Sequence, residues 1–86
     1  MRASHILVST REQAEAILAE ANALNFGSLA QAHSSCPSKA KGGDLGEFGP
    51  GMMVQPFEQA TLATEVGAIS QPVQTQFGFH LIHRTG

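Results

Sequence analysis

Charge is scarce in this chain. Its 86 residues carry five Lys and Arg against seven Asp and Glu, for a formal net charge of −2. No basic run exists, so the footprint of nucleic-acid binding is missing and no nucleic-acid partner is expected. No apolar run approaches the ~20 residues that cross a bilayer, so no membrane span is expected either. Met1-Arg2 leads straight into a strand-like stretch with no apolar targeting segment. The single cysteine, Cys36, cannot make an internal disulfide and suits a reducing compartment. A cytoplasmic location is therefore expected. Metal-ligand spacing is absent: four histidines and one cysteine form no Cys-x2-Cys or His-x3-His pair, so no metal is expected. Gly42-Gly43 lacks both P-loop spacing and a Lys-Ser/Thr pair, which argues against phosphate cradling. The length points to one domain, residues 1–86, and a chain of that size buries only about 60–65% of its unfolded surface.

What is present reads as alternating elements. Residues 3–8 alternate as a strand, with His5 and Leu7 on one face and Ile6 and Val8 on the other. Apolar groups on both faces mark it as a covered, central strand. Thr10 and Gln13 form a capping box that opens a helix. Ala14, Ile17, Leu18, Ala21 and Leu24 follow at helical spacing as its buried face, and the helix ends between Asn22 and Asn25. A second helix is expected over Phe26–His33, with Asn25 as N-cap and Phe26, Leu29 and Ala30 inward. Pro37 stops it. Residues 39–51 hold five of the nine glycines, a density that implies tight turns or close backbone approach. Leu45 and Phe48 there belong to a short extended piece. Gln55-Pro56 opens a third helix, with Pro56 at its first position and Phe57, Ala60 and Leu62 inward. Pro72–Thr75 then reads as a strand that turns around residues 76–78 into a final strand. There Gly78, His80 and Ile82 share one face, and Phe79, Leu81 and His83 the other. The order is strand, three helices, then strands, an α+β pattern.

Two histidines at opposite ends of the chain, His5 and His80, sit on strands that would pair and bring the rings together. Taken singly, each candidate has an ordinary structural reading. A histidine on a half-apolar strand is a hydrogen-bonded core group, a small cysteine is inert, and Met53 with Phe57 is core. A Cys–His nucleophile pair would also need an orienting group and an oxyanion hole, which a domain this small hardly accommodates. His33 and His83 read as rim residues.

Taken together, five blocks resemble the parvulin-type peptidyl-prolyl cis/trans isomerases, in particular the small single-domain form. They are Ser4-His5-Ile6-Leu7-Val8, Ser34-Ser35-Cys36-Pro37-Ser38, Gly42-Gly43-Asp44-Leu45-Gly46-Glu47-Phe48, Met53-Val54-Gln55-Pro56-Phe57-Glu58, and the C-terminal run from Gly67 through Val73 to Phe77-Gly78-Phe79-His80-Leu81-Ile82. Each block alone is weak; all of them in order, across nearly the whole chain, are specific. The resemblance implies a four-stranded, mostly antiparallel sheet flanked by about three helices, a parvulin/FKBP-like α+β fold.

It also implies site roles. His5, His80, Thr75 and Cys36 match catalytic positions, Cys36 at one that is Asp in other members, which argues against an obligate thiol step. Leu45, Met53 and Phe57 match the pocket that holds the substrate proline ring. Ser34, Val54, Phe77 and Phe79 match its rim or supports. The implied activity is cofactor-free rotation of X-Pro bonds in proline-containing peptides and unfolded protein clients, by a monomer. A non-catalytic peptide-binding or chaperone module on the same groove is the alternative. Phosphoserine-directed relatives carry a long basic insert where this chain has only Val8-Ser9-Thr10-Arg11, so no phospho-specificity is expected. His5 and His80 are expected to set a tautomer chain rather than to shuttle protons.

Overall fold

The computed structural model describes residues 1–86, the side chains of residues 37 and 38 excepted. Its elements are β1 (Arg2–Val8), α1 (Arg11–Glu20), α2 (Phe26–His33), a 3-10 turn (Pro37–Lys41), β2 (Asp44–Glu47), α3 (Gln55–Ala63), β3 (Val73–Thr75) and β4 (Gly78–Arg84). The four strands form one sheet in the order β2-β1-β4-β3, and every neighbouring pair is antiparallel. This is the α+β architecture expected from the sequence, with β1 and β4 at its centre.

Side-chain alternation sorts the core into two layers, one on each face of the sheet. Ile6, Val8 and Leu81 pack with Ala14, Ile17, Phe26 and Ala30 of α1 and α2. Ala3 and Ile82 pack with Phe48 and with Phe57 of α3 on the opposite face. His5 and His80 lie on this second face, with Phe57 of α3 against both rings.

The capping box at Thr10 and Gln13 is formed as the sequence predicts. α1 nevertheless stops at Glu20, because Asn22 and Asn25 compete for its backbone. Asn22 Oδ1 accepts the N–H groups of Leu24 and Asn25, and the Asn25 amide donates to the Glu20 carbonyl. Leu24 is therefore 96% exposed rather than buried. Asn25 occupies the N-cap of α2 but makes no side-chain cap bond, because its side chain is engaged in that turn. In α3, Leu62 also points outward, and the fully buried residue is its neighbour Thr61. The Thr61 hydroxyl donates to the Phe57 carbonyl at 2.9 Å, which lets it sit in the core.

Two glycines are required by close backbone approach. Gly43 (φ +82) carries the chain past β1, where its carbonyl accepts the His5 N–H at 2.9 Å; a Cβ at Gly43 would collide with the His5 carbonyl. Gly78 (φ +138) opens β4, where a Cβ would collide with the Val8 carbonyl. The ends of the chain meet beside β1: Arg2 N–H donates to the Gly86 carbonyl at 3.1 Å, and the N–H groups of Thr85 and Gly86 donate back to the Arg2 carbonyl at 2.8 and 3.0 Å.

Candidate active site

The pairing register places three polar side chains in a diagonal row. His5 lies opposite Ile82, and His80 opposite Leu7, so the two imidazoles are diagonal neighbours on one face of β1 and β4. Val73 faces His80 and Thr75 faces Gly78, so Thr75 is diagonal to His80 on the other side. Diagonal neighbours on a sheet face lie within reach of long side chains. The row closes as a hydrogen-bond chain. His5 Nδ1 meets His80 Nδ1 at 2.9 Å, and His80 Nε2 meets Thr75 Oγ1 at 2.8 Å.

Both rings are buried, His5 with 5% and His80 with 4% of its surface exposed. Burial disfavours the charged imidazolium, so it pushes both pKa values down from 6.5 to about 4; for His5 the neighbouring His80 adds a smaller repulsion. The Phe57 ring stands edge-on to both, with centroids 5.6 Å from His5 and 5.3 Å from His80, and it supplies much of that dry contact. Both rings are neutral at pH 7, so each has one N–H and one lone-pair nitrogen. The network allows two proton arrangements. Thr75 Oγ1 already accepts the Phe77 N–H at 3.2 Å. When its own proton goes to His80 Nε2, His80 carries its proton on Nδ1 and donates it to His5 Nδ1. His5 is then the Nε2–H tautomer. The opposite direction leaves the Thr75 proton in need of another acceptor.

A cleft of about 460 Å³ opens above the pair, with His5, His80 and Leu7 in its lining. Leu45 of β2, Met53 and Val54 of the approach to α3, and Phe57 line it further. Met52 and Phe77, 68% and 61% exposed, form its outer rim, and Ser35 and Cys36 contribute the polar side. No Lys, Arg, Asp or Glu lines it among the described residues. Cys36 is set over the cleft by a short substitute for a strand: Ser35 N–H donates to the Leu7 carbonyl at 2.8 Å, while Ser34 Oγ accepts the N–H groups of Leu7 at 3.0 Å and Cys36 at 3.3 Å.

The structure thus gathers His5, Cys36, Leu45, Met53, Val54, Phe57, Phe77 and His80 around one cleft. Three sequence-expected residues stand elsewhere. Ser34 is buried beneath the loop, where it bonds backbone rather than a ligand. Thr75 sits behind His80 and acts through it. Phe79 is on the far face, packed against the core of α1 and α2, so its expected substrate contact is corrected. Strand alternation already put Phe79 opposite His80. Leu7, Ser35 and Met52 were not anticipated in the lining. Leu7 could have been found, because it shares a strand face with His5. His83 lies on the far face against the Phe26 ring, with centroids 5.4 Å apart. Among the described residues, no three His, Cys, Asp or Glu side chains converge as a metal site.

Comparison with known proteins agrees with this geometry. The family model for the PPIC-type PPIase (rotamase) domain matches residues 5–86. The chain is 47% identical over 87 residues to the foldase protein PrsA 4 of Bacillus cereus, covering 99% of this chain and 31% of that protein. It is 45% identical over 86 residues to the peptidyl-prolyl cis-trans isomerase Pin1 of Arabidopsis thaliana, covering 93% of this chain and 72% of that one. The solution structure of NmPin, the parvulin of Nitrosopumilus maritimus, superposes with a TM-score of 0.86 at 43% identity and covers 100% of this chain and 95% of its own. The chain thus spans about a third of the length of its foldase relative and most of the length of the small parvulin.

Proposed function

Because the chain belongs to the PPIC-type peptidyl-prolyl cis/trans isomerase family, we propose that its cleft accelerates rotation about X-Pro bonds in peptides and unfolded protein clients. One observation carries the reading. An uncharged, largely apolar cleft of about 460 Å³ is floored by two neutral, buried, hydrogen-bonded imidazoles.

Rotation about a prolyl bond breaks no covalent bond. It loses amide resonance, over a barrier of ~18–20 kcal/mol. The planar amide is the more dipolar form and water stabilises it. A dry wall of Leu45, Met53, Val54 and Phe57 holds the ring and withdraws that solvation, which favours the twisted amide. The fixed dipoles of His5, His80 and Cys36 lie on the same cleft and meet the carbonyl as it turns. Each ~1.4 kcal/mol of preference for the twisted state gives about tenfold in rate.

The lining also bears on substrate choice. A phosphate beside the proline calls for Arg or Lys donors. Among the described residues none lines the cleft, and Val54 and Phe77 present apolar surface at its mouth. The preferred residue before proline is therefore uncharged. A protease-coupled assay on paired peptides tests both statements. Faster cis-to-trans conversion is expected for the unmodified peptide, with no gain for its phosphoserine twin. A tenfold preference for the phosphopeptide would refute the specificity, and saturable binding without rate enhancement would make the domain a holding module.

A further inference from the structure

The cleft is not the only depression along α3. Beyond Phe57 a second groove of about 540 Å³ opens between the C-terminal half of that helix and the chain leading into β3. Ala60, Ala63 and Thr64 form one wall, and Ile69, Pro72 and Val73 the other. The two depressions have no lining residue in common but are bordered by the same two elements. α3 has Phe57 at the cleft and Thr64 at the groove, while the β3 hairpin has Phe77 at the cleft and Val73 at the groove.

β3 is an edge strand, and successive residues of an edge strand turn their backbone groups alternately inward and outward. Part of its hydrogen-bonding capacity therefore faces away from the sheet. The groove lies where this edge is interrupted. Ile69 pairs with His83 and Ser70 N–H donates to the Ile82 carbonyl, the chain then swings out at Gln71 and Pro72, and pairing resumes at Val73 opposite His80.

The helix gives the spacing. From Phe57 to Thr64 is seven residues of helix, about 10 Å. On the other wall, Val73 to Thr75 is two residues of strand, about 7 Å, before the chain turns at Gln76 and Phe77. An extended peptide covers the distance along the helix in about three or four residues.

We propose that the groove between α3 and β3 is a second subsite for the same client chain. It takes an aliphatic side chain about three to five residues from the proline, with the client lying extended along the edge of β3. This rests on the cleft taking a prolyl segment. The small side chains of Ala60 and Ala63 leave room for a branched aliphatic group against Ile69 and Val73. Among the described residues Glu65 is the one charged group in the lining, so an acidic client residue is disfavoured there.

Peptides of increasing length test the proposal. A four-residue peptide centred on proline reports the cleft alone. Longer peptides place one Leu three, four or five residues from proline on either side, with Ser as the control. Leu at the matching distance should lower KM about fivefold with kcat unchanged, because remote contacts add binding equally to ground and transition states. The same peptide should shift the backbone amide signals of Ala63, Ile69 and Val73. Ala63→Lys, at an exposed position, should remove the Leu gain and leave turnover of the short peptide within about twofold. A KM that ignores the Leu, or a Leu gain that survives Ala63→Lys, overturns the subsite while short-peptide isomerisation stands. Amide shifts at Ala63 and Val73 that grow with protein concentration alone would give the groove to a second copy and also overturn it. Failure of short-peptide isomerisation, with Leu-dependent binding intact, would strike the activity instead.

Discussion

His5 and His80 have to stay neutral to hold their places, and this makes the site sensitive to acid. Folded, both titrate near 4 against an ordinary 6.5. Well above pH 6.5 neither the folded nor the unfolded chain charges these rings, and their contribution is complete. As pH falls below 6.5, the unfolded chain takes up protons that the folded rings refuse. Stability should then decline by up to about 1.4 kcal/mol per pH unit for each ring, until about pH 4. Urea midpoints between pH 7.5 and 4.5 check this, and a His80→Gln variant should show the shallower dependence of one remaining ring. Thr75 offers a second test. Its hydroxyl bonds Nε2 of His80 and accepts the Phe77 N–H. Thr75→Val should cost about tenfold in kcat/KM, the equivalent of one hydrogen bond of ~1.4 kcal/mol. Thr75→Ser should restore most of it. Imidazole nitrogen shifts in the parent protein should show the proton on Nδ1 of His80 and Nε2 of His5; the reverse pattern would show that Thr75 accepts rather than donates.

The elements earn their precision from a few backbone constraints. Gly43 lets the loop before β2 press against the His5 carbonyl, and Gly78 lets β4 start against the Val8 carbonyl. Ala at either position should destabilise by more than about 2 kcal/mol, through a steric clash added to a positive φ. Gly46→Ala, with the same sign of φ but open space around the new Cβ, should cost only about 1 kcal/mol. Thermal unfolding of the three variants ranks them. Strand alternation was legible in the sequence because its period is two and both faces of β1 and β4 carry apolar groups. The second helix was legible for its run of Phe26, Leu29 and Ala30 between Asn25 and Pro37. Helix periodicity was less reliable where local hydrogen bonds intervene. Leu24 follows the pattern of α1 but falls in an asparagine turn, and the polar Thr61, not Leu62, fills the core under α3. Arg84 was invisible for a similar reason: its guanidinium donates to the Thr61 and Thr64 carbonyls at the end of α3, a pairing made only by the tertiary fold. At the site, residues that line the cleft with large apolar or ring groups were readable, whereas Ser34 and Thr75 act behind that surface, through backbone and through His80.

At the scale of the whole molecule, the sheet brings the first and last strands side by side, and the two histidines of the site come from these opposite ends of the chain. The site therefore assembles only when the fold is complete, since no fragment lacking β1 or β4 can hold both rings. That same meeting of the ends has another consequence. With Arg2, Thr85 and Gly86 bonded to each other, the backbone of residues 1–86 is nearly a closed ring. A linker of about four Gly and Ser residues from residue 86 back to residue 1 should close it without strain. New ends opened between Ala23 and Leu24, in an exposed turn, should leave the sheet order and the isomerase rate unchanged and lower Tm by only a few degrees, roughly the effect of losing one local turn. A permuted chain that failed to fold would show that synthesis order, and not final contacts alone, directs β1 to β4. A permuted chain that folds would join His80 to His5 through the new linker, so that the two bonded imidazoles of the site come from neighbouring stretches of sequence.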